Sequence, residues 1–515
     1  MATQTDLSDY FGNLTVAVHQ GGTAYPTDPP FHPAIAYPEY DVSLGVTSAP
    51  NHAYEGVRSA FHLLGLDSDR FGTADWNPLE GIVHRGNTVV VKPNFVLSDH
   101  YRGGNLFSVI THPSVLRAVV DYTYKALHGD GQIIIADTPQ MDCDFQELLE
   151  RTRLASIQEL YWKTYRFEVS VRDLRQFWFK YMNENYLASQ KNRLDLPGDP
   201  LGSVVVNLAG RSAFDSVQNT NFYGADFNRD ETIAQHSHGK QNYMVSNTIL
   251  GADVLISVPK LKVHKKVGVT LNAKGFVGMI TNKNYLVHYT VGSTTKGGDQ
   301  FPDHAIGVKG KFIVSVQRWL YDTLLSRKNS VLGKIAMAFY WPYRVLIKPL
   351  MAETNRAILL YDGGNWHGND SAWRMVSDLS KIMVYADKNG ALQPTPQRKI
   401  FSVIDGIVGG EGNGPLFPDA RPVGVILAGR NHLTVDMVGA RLMGFQPRAL
   451  KWVNDLLHNN DFNFFVSGER DIKVHSNRQD FATIFESRAR LLDFKPHPGW
   501  MGYIEIVNDE SVVQP

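Results

Sequence analysis

Cysteine is all but missing from this chain: 515 residues hold a single one, Cys143. One thiol leaves no internal disulfide, no cysteine-based zinc site and no iron–sulfur cluster carried by this chain alone. A reducing compartment, the cytoplasm, is therefore expected. Excess charge is missing too, since 51 basic residues face 51 acidic ones. That balance argues against a general nucleic-acid binder and against a polybasic membrane surface. Long apolar runs are also lacking. Residues 331–351 come nearest, but Lys334, Pro342, Arg344 and Lys348 interrupt them. A span needs about 20 mostly apolar residues, so no transmembrane segment is expected; a buried or partner-facing helix is read there in preference to a membrane-surface one. The opening MATQTDLSDYFGNLTVAV has neither the basic start nor the apolar core of a leader. No dinucleotide fingerprint, Walker loop, Gly-x-Ser-x-Gly elbow or His-Glu-x-x-His motif occurs.

What is present is a folded composition, with 43% hydrophobic residues. The length exceeds one ordinary core, so two or three domains are expected. Residues 1–45, rich in proline and turn formers, read as an irregular segment. Residues 46–299 read as an α/β core domain, 300–360 as a helical insertion, and 361–515 as a second α/β lobe with a tail. The fold class is α/β, with mostly parallel sheets flanked by helices, in two lobes. Residues 88–91, 132–136, 254–258, 399–404 and 423–428 read as buried strands. Thr111 is the expected N-cap of a helix with Pro113 in its first turn and an apolar face of Val115, Leu116, Val119, Tyr122 and Ala126. The aromatic and charged stretch 145–195 reads as helical.

Unusual polar groups follow the strands. Lys92 and Asn94 follow the first, Asp137 the second, and Lys260, Lys262 and His264 the third. Two residues apart on extended chain, the last three point to one side. Lys274, a glycine loop at 275–278 and His288 come next. Cations and glycines at a strand's carboxyl end indicate an anion site. Asp405 follows the fourth strand, ahead of a glycine-rich loop at 409–414 containing Glu411 and Asn413. Lys260, His264, His112 and Asp137 are the candidate catalytic residues, with lysine and histidine as proton-transfer groups. Lys92, Asn94, Lys262, Lys274, Asn365, Glu411 and Asn413 are the candidate substrate ligands, and Lys260 shares the anion with Lys92 and Lys262. No metal is asserted; Asp137, Asp405 and Glu411 are the oxygen ligands for a divalent cation if one binds. Plainer readings stand beside these: solvated strand ends for the lysines, a first-turn residue for His112, a turn former for Asp137, a tight turn at 409–415, and a packed histidine for His288. Cys143 has no basic partner nearby in sequence to make it a nucleophile.

Taken together and in order, Val91-Lys92-Pro93-Asn94, Thr111-His112-Pro113, Ala136-Asp137-Thr138-Pro139, the run 258–264, the Lys274 loop, Gly364-Asn365-Trp366-His367-Gly368-Asn369, and Asp405-Gly406 with Glu411-Gly412-Asn413-Gly414-Pro415 resemble the domain of unknown function 362 family. The resemblance runs from about residue 88 to about residue 450. It implies no established reaction. Some members carry ferredoxin-like cysteine motifs; this chain has none, so electron transfer is not implied. The family usually has Lys-Asn where this chain has Lys274-Gly275, so any role of that asparagine is lost or moved. The layout is also distantly similar to the catalytic region of the lactate racemase family, which uses a nickel-pincer nucleotide. The expectation is an enzyme acting on a small anionic metabolite by proton or group transfer, in a biosynthetic tailoring step. A non-enzymatic ligand or cofactor carrier is the alternative. An assembly protein with 300–360 as its partner surface is a third. A homo-oligomer stays open.

Overall fold

Runs of valine and isoleucine without polar alternation suit strands buried on both faces, and they build the centre of this fold. The computed structural model describes residues 4–179, 193–225, 229–320, 322 and 352–507. Ten strands form its central sheet: β1 (Thr15–Gln20), β2 (Thr88–Pro93), β3 (Gln132–Asp137), β4 (Val169–Asp173), β5 (Val254–Val258), β6 (Lys260–His264), β7 (Gly268–Val269), β8 (Lys399–Glu411), β9 (Asp419–Gly429) and β10 (Lys473–Ser476). The order across the sheet is β10-β1-β9-β8-β5-β2-β3-β4, with β6 running on along β8 and β7 folded back against β6. Strands β8, β5, β2, β3 and β4 are all parallel. β9 lies antiparallel to β8 and β1. Helices flank the sheet; His52–Leu63 and Pro113–Leu127 pack together and against it, as does His432–Leu442.

The strand order locates the site. The chain leaves β2 outward through β3 to β4, then crosses back to lay β5 and β8 on the other side of β2. Connections to either side of the β2/β5 pair diverge, which opens a crevice beyond the carboxyl ends of these strands. Thr111 ties the two ends together there: its hydroxyl accepts from the Asn94 N–H at 2.9 Å and donates to the Val258 carbonyl at 2.7 Å. Thr111 is thus not the helix cap; His112 is, with Nδ1 accepting from the Ser114 N–H at 3.1 Å.

Other details also differ from expectation. The N-terminal segment contains the helix Gln4–Gly12 and contributes β1, which pairs with β9 and β10 and buries four consecutive residues, Val16 to His19. Strands from the two expected lobes therefore share one sheet. The stretch after 145 holds two helices, Phe145–Thr152 and Ala155–Tyr165, and then β4, whose Val169 and Val171 find partners on β3. The glycine-rich stretch is strand as far as Glu411 and turns only after it. Its glycines serve packing: a Cβ on Gly409 would meet the Phe494 ring at 2.6 Å, and one on Gly410 the Ser108 carbonyl at 2.6 Å. Between residues 300 and 361 the helices Val308–Leu320 and Ala352–Tyr361 are described. The apolar stretch 331–351 lies outside the described residues, and among those described no helix is long and apolar enough to cross a membrane.

Candidate functional site

A cavity of about 300 Å³ opens at the β2/β5 switch point. Among the described residues its lining includes five lysines (262, 265, 266, 274 and 283), two histidines (264 and 288) and two carboxylates, Asp137 and Asp142. Lys262 and His264 lie two apart on β6 and face the same space, as extended backbone requires. Lys265 and Lys266 come from the turn after β6, Lys274 from the short helix Leu271–Gly275, and Lys283 from the segment after the Gly278 loop.

Asp137 is shared: it pairs directly with Lys92, and its charge also favours the protonated forms of Lys283 and Lys262. Its Oδ1 accepts from Lys92 Nζ at 2.9 Å, and its Oδ2 accepts from the Phe95 N–H at 2.7 Å. Lys92 is buried behind the carboxylate and does not line the cavity. Gly278 presses on this pair so closely that a Cβ would overlap both the carboxylate and the ammonium. Of the cavity lysines, Lys262 donates to the carbonyls of Val109 at 2.5 Å and Pro415 at 3.3 Å. Lys283 donates to the Thr138 hydroxyl and to the Val277 carbonyl at 2.9 Å. Lys266 donates to the Gly363 carbonyl. Lys274 has no hydrogen-bond or ion-pair partner among the described residues.

Burial and crowding set the protonation of these groups. Burial, then Lys92, lowers Lys274 to about 8. Burial, then Lys265, lowers Lys266 to about 7. Burial, then Lys274 and Lys260, pushes Lys262 well below its ordinary value. His264 and His288 are held neutral by burial and then by the neighbouring lysines. His264 Nδ1 accepts from the Lys266 N–H at 3.1 Å, so in the neutral ring Nε2 carries the proton. Removing several ammonium groups from water without carboxylate partners is costly. That cost is what lowers the proton affinity of the cavity lysines.

The structure thus gathers Asp137, Asn94, Lys262, His264 and Lys274 and leaves the other expected residues elsewhere. Lys260 is fully buried in a closed network: its Nζ lies 3.0 Å from Asp405 Oδ2 and 2.5 Å from the Tyr25 hydroxyl, which donates to Asp405 Oδ1 at 2.6 Å. Asp405 Oδ2 also accepts from the His112 N–H at 2.9 Å. The His112 ring stacks on Tyr25 with centroids 4.0 Å apart, outside the cavity. Glu411 caps the Lys495 N–H at 3.0 Å. Asn365 donates to the Asp362 carbonyl at 2.7 Å, within a turn that supports the cavity from behind: Asn369 donates to the His288 carbonyl at 3.1 Å. Asn413 lies off the cavity lining. Asp137, Asp405 and Glu411 each serve a different partner and do not converge on a cation. No group of three His, Cys, Asp or Glu side chains suited to a metal gathers among the described residues.

Sequence reasoning did not assign Lys265, Lys266, Lys283, Thr270 or Asp142 to the site. The run Lys262-Val-His-Lys-Lys held a signal for the first two, since its positive charge continues past His264. Lys283 and Asp142 carried none, because only the pairing of β2 with β5 and β3 brings them in. A family model described as Domain of unknown function (DUF362) matches residues 89–175 and 207–441, more than half of the chain and every element that lines the cavity. No curated protein and no solved structure matches.

Proposed function

The chain belongs to the DUF362 family, a name that carries no reaction, and we propose from the site itself that it is an enzyme acting on a small anionic metabolite. The observation that carries this reading is the lysine cluster: five lysines in one cavity, against one carboxylate already paired with Lys92 and one other, Asp142, among the described residues. A phosphate or carboxylate of the substrate supplies the missing charge. The chemistry we assign is proton or group transfer. Lys274 and Lys266, at about 8 and about 7, exchange protons near neutrality. His264 offers an Nε2–H donor to charge developing on the substrate.

The test begins with molecules released from the purified, denatured protein and identified by mass spectrometry. The expected molecule carries a phosphate or carboxylate and is consumed when returned to fresh protein. A His264→Ala variant should bind it without consuming it. Recovery of the molecule unaltered from the unmodified protein makes the chain a carrier. A retained molecule without negative charge overturns the anion reading.

A further inference from the structure

Four residues that line the cavity each carry a buried polar atom without a hydrogen-bond partner among the described residues: Asn94 Oδ1, Asp142 Oδ1, Thr270 Oγ1 and His288 Nδ1. Buried polar atoms usually find a partner, and four of those left without one among the described residues belong to the lining of this one cavity. They divide by origin. His288 stands among lysines, with Lys266 and Lys274 the cations acting on it most strongly. Asn94 and Asp142 come from the segments after β2 and β3, on the other flank of the switch point. The cation acting on Asp142 is Arg175, outside the cavity, and no cavity lysine stands among its leading influences. Its Oδ2 accepts from the Tyr101 hydroxyl, while Oδ1 is buried within the Asp142 flank of the lining.

Apolar surface completes the wall. Phe95 and Met141 line it on the Asp142 flank, and Tyr289 lines it on the lysine flank, stacked on Tyr223 with centroids 5.0 Å apart. A volume of about 300 Å³ is of the size that holds an organic ligand rather than an inorganic ion. The lysines account for one end of such a ligand. They give no use to the acceptor oxygens of Asn94 and Asp142.

We propose that the ligand is bipolar, with a phosphate or carboxylate held by the lysines, an amine or hydroxyl donor held by Asn94 and Asp142, and an aromatic or aliphatic body between them. This deepens the anion reading and rests on it. Two probes separate the two claims: phenyl phosphate and 4-aminophenyl phosphate share the anion and the ring and differ by one amino group. Titration calorimetry on the full chain should show the amino compound binding roughly tenfold more tightly. In an Asp142→Ala variant the ratio should fall to near one while phenyl phosphate keeps its affinity within about twofold. Equal affinities in the unmodified protein overturn the bipolar ligand and leave the anion site standing. If neither compound binds, both readings fall. The ratio in the unmodified protein decides the proposal even where the variant fails to fold.

Discussion

Replacing Lys274 with methionine should move stability and ligand affinity in opposite directions. Lys274 is a half-buried ammonium with no partner among the described residues, and burial lowers it from 10.5 to about 8. Below pH 8 the folded protein holds this charge at a cost. A shift of that size corresponds to at most about 3 kcal/mol, and residual solvent contact reduces it to about 1–2 kcal/mol. Methionine keeps the length of the side chain and removes the charge. The free variant should therefore unfold about 1–2 kcal/mol less readily at pH 7. The sign follows from linkage. The folded pKa lies below the unfolded one, so the penalty is complete below about 8 and vanishes above about 10.4. The stability gain should accordingly disappear by pH 11. The same variant loses a charge-assisted contact to the anion, about 1.5–3 kcal/mol, so its affinity for phenyl phosphate should fall by roughly 10- to 150-fold. Denaturant melts at pH 7 and pH 11, with titration calorimetry on the same samples, read both quantities. A variant that is less stable at pH 7 refutes the reasoning, because Lys274 would then be a structural cation. Unchanged affinity would remove it from the binding site.

Further outcomes concern the surrounding groups. Sulfate, which stays fully ionised, should bind most tightly below pH 7 and weaken as pH rises through 7 to 9, by up to about tenfold per unit for each proton taken up; a flat profile in calorimetry would mean that Lys266 and Lys274 do not meet the anion. Lys260→Ala leaves Asp405 buried without its cation, so it should cost about 3–5 kcal/mol in denaturant unfolding while the folded fraction binds phenyl phosphate normally. Intact stability with lost binding would return Lys260 to the site. Gly278→Ala forces a methyl group into the Lys92–Asp137 pair; it should cost about 1–3 kcal/mol or more and weaken phosphate binding together with stability, as seen by parallel melts and titrations.

How the candidate site could be read from the sequence follows from distance along the chain. Lys262 and His264 were legible as a pair because a strand's two-residue repeat fixes their side without outside help. Lys260 obeys the same repeat, yet Asp405, 145 residues away, draws its ammonium into a different network. The glycines of β8 look like a ligand loop in sequence, whereas Phe494 and the Ser108 carbonyl, pressing on the strand, account for them in the structure. Asp142 gave no local sign of its place in the lining, which depends on the sheet bringing the segment after β3 beside that after β2.

Alone, the amino-acid order settled the α/β class, the buried strands, the lack of an internal disulfide, and the clustering of cations after β5. These follow from composition and short-range periodicity, which each segment carries within itself. Tertiary structure decided which cations remain without a counterion. Lys92 and Lys260 meet carboxylates that the sheet brings to them, and Lys274 meets none among the described residues. Pairing between distant charges depends on strand order, and strand order is a property of the whole chain.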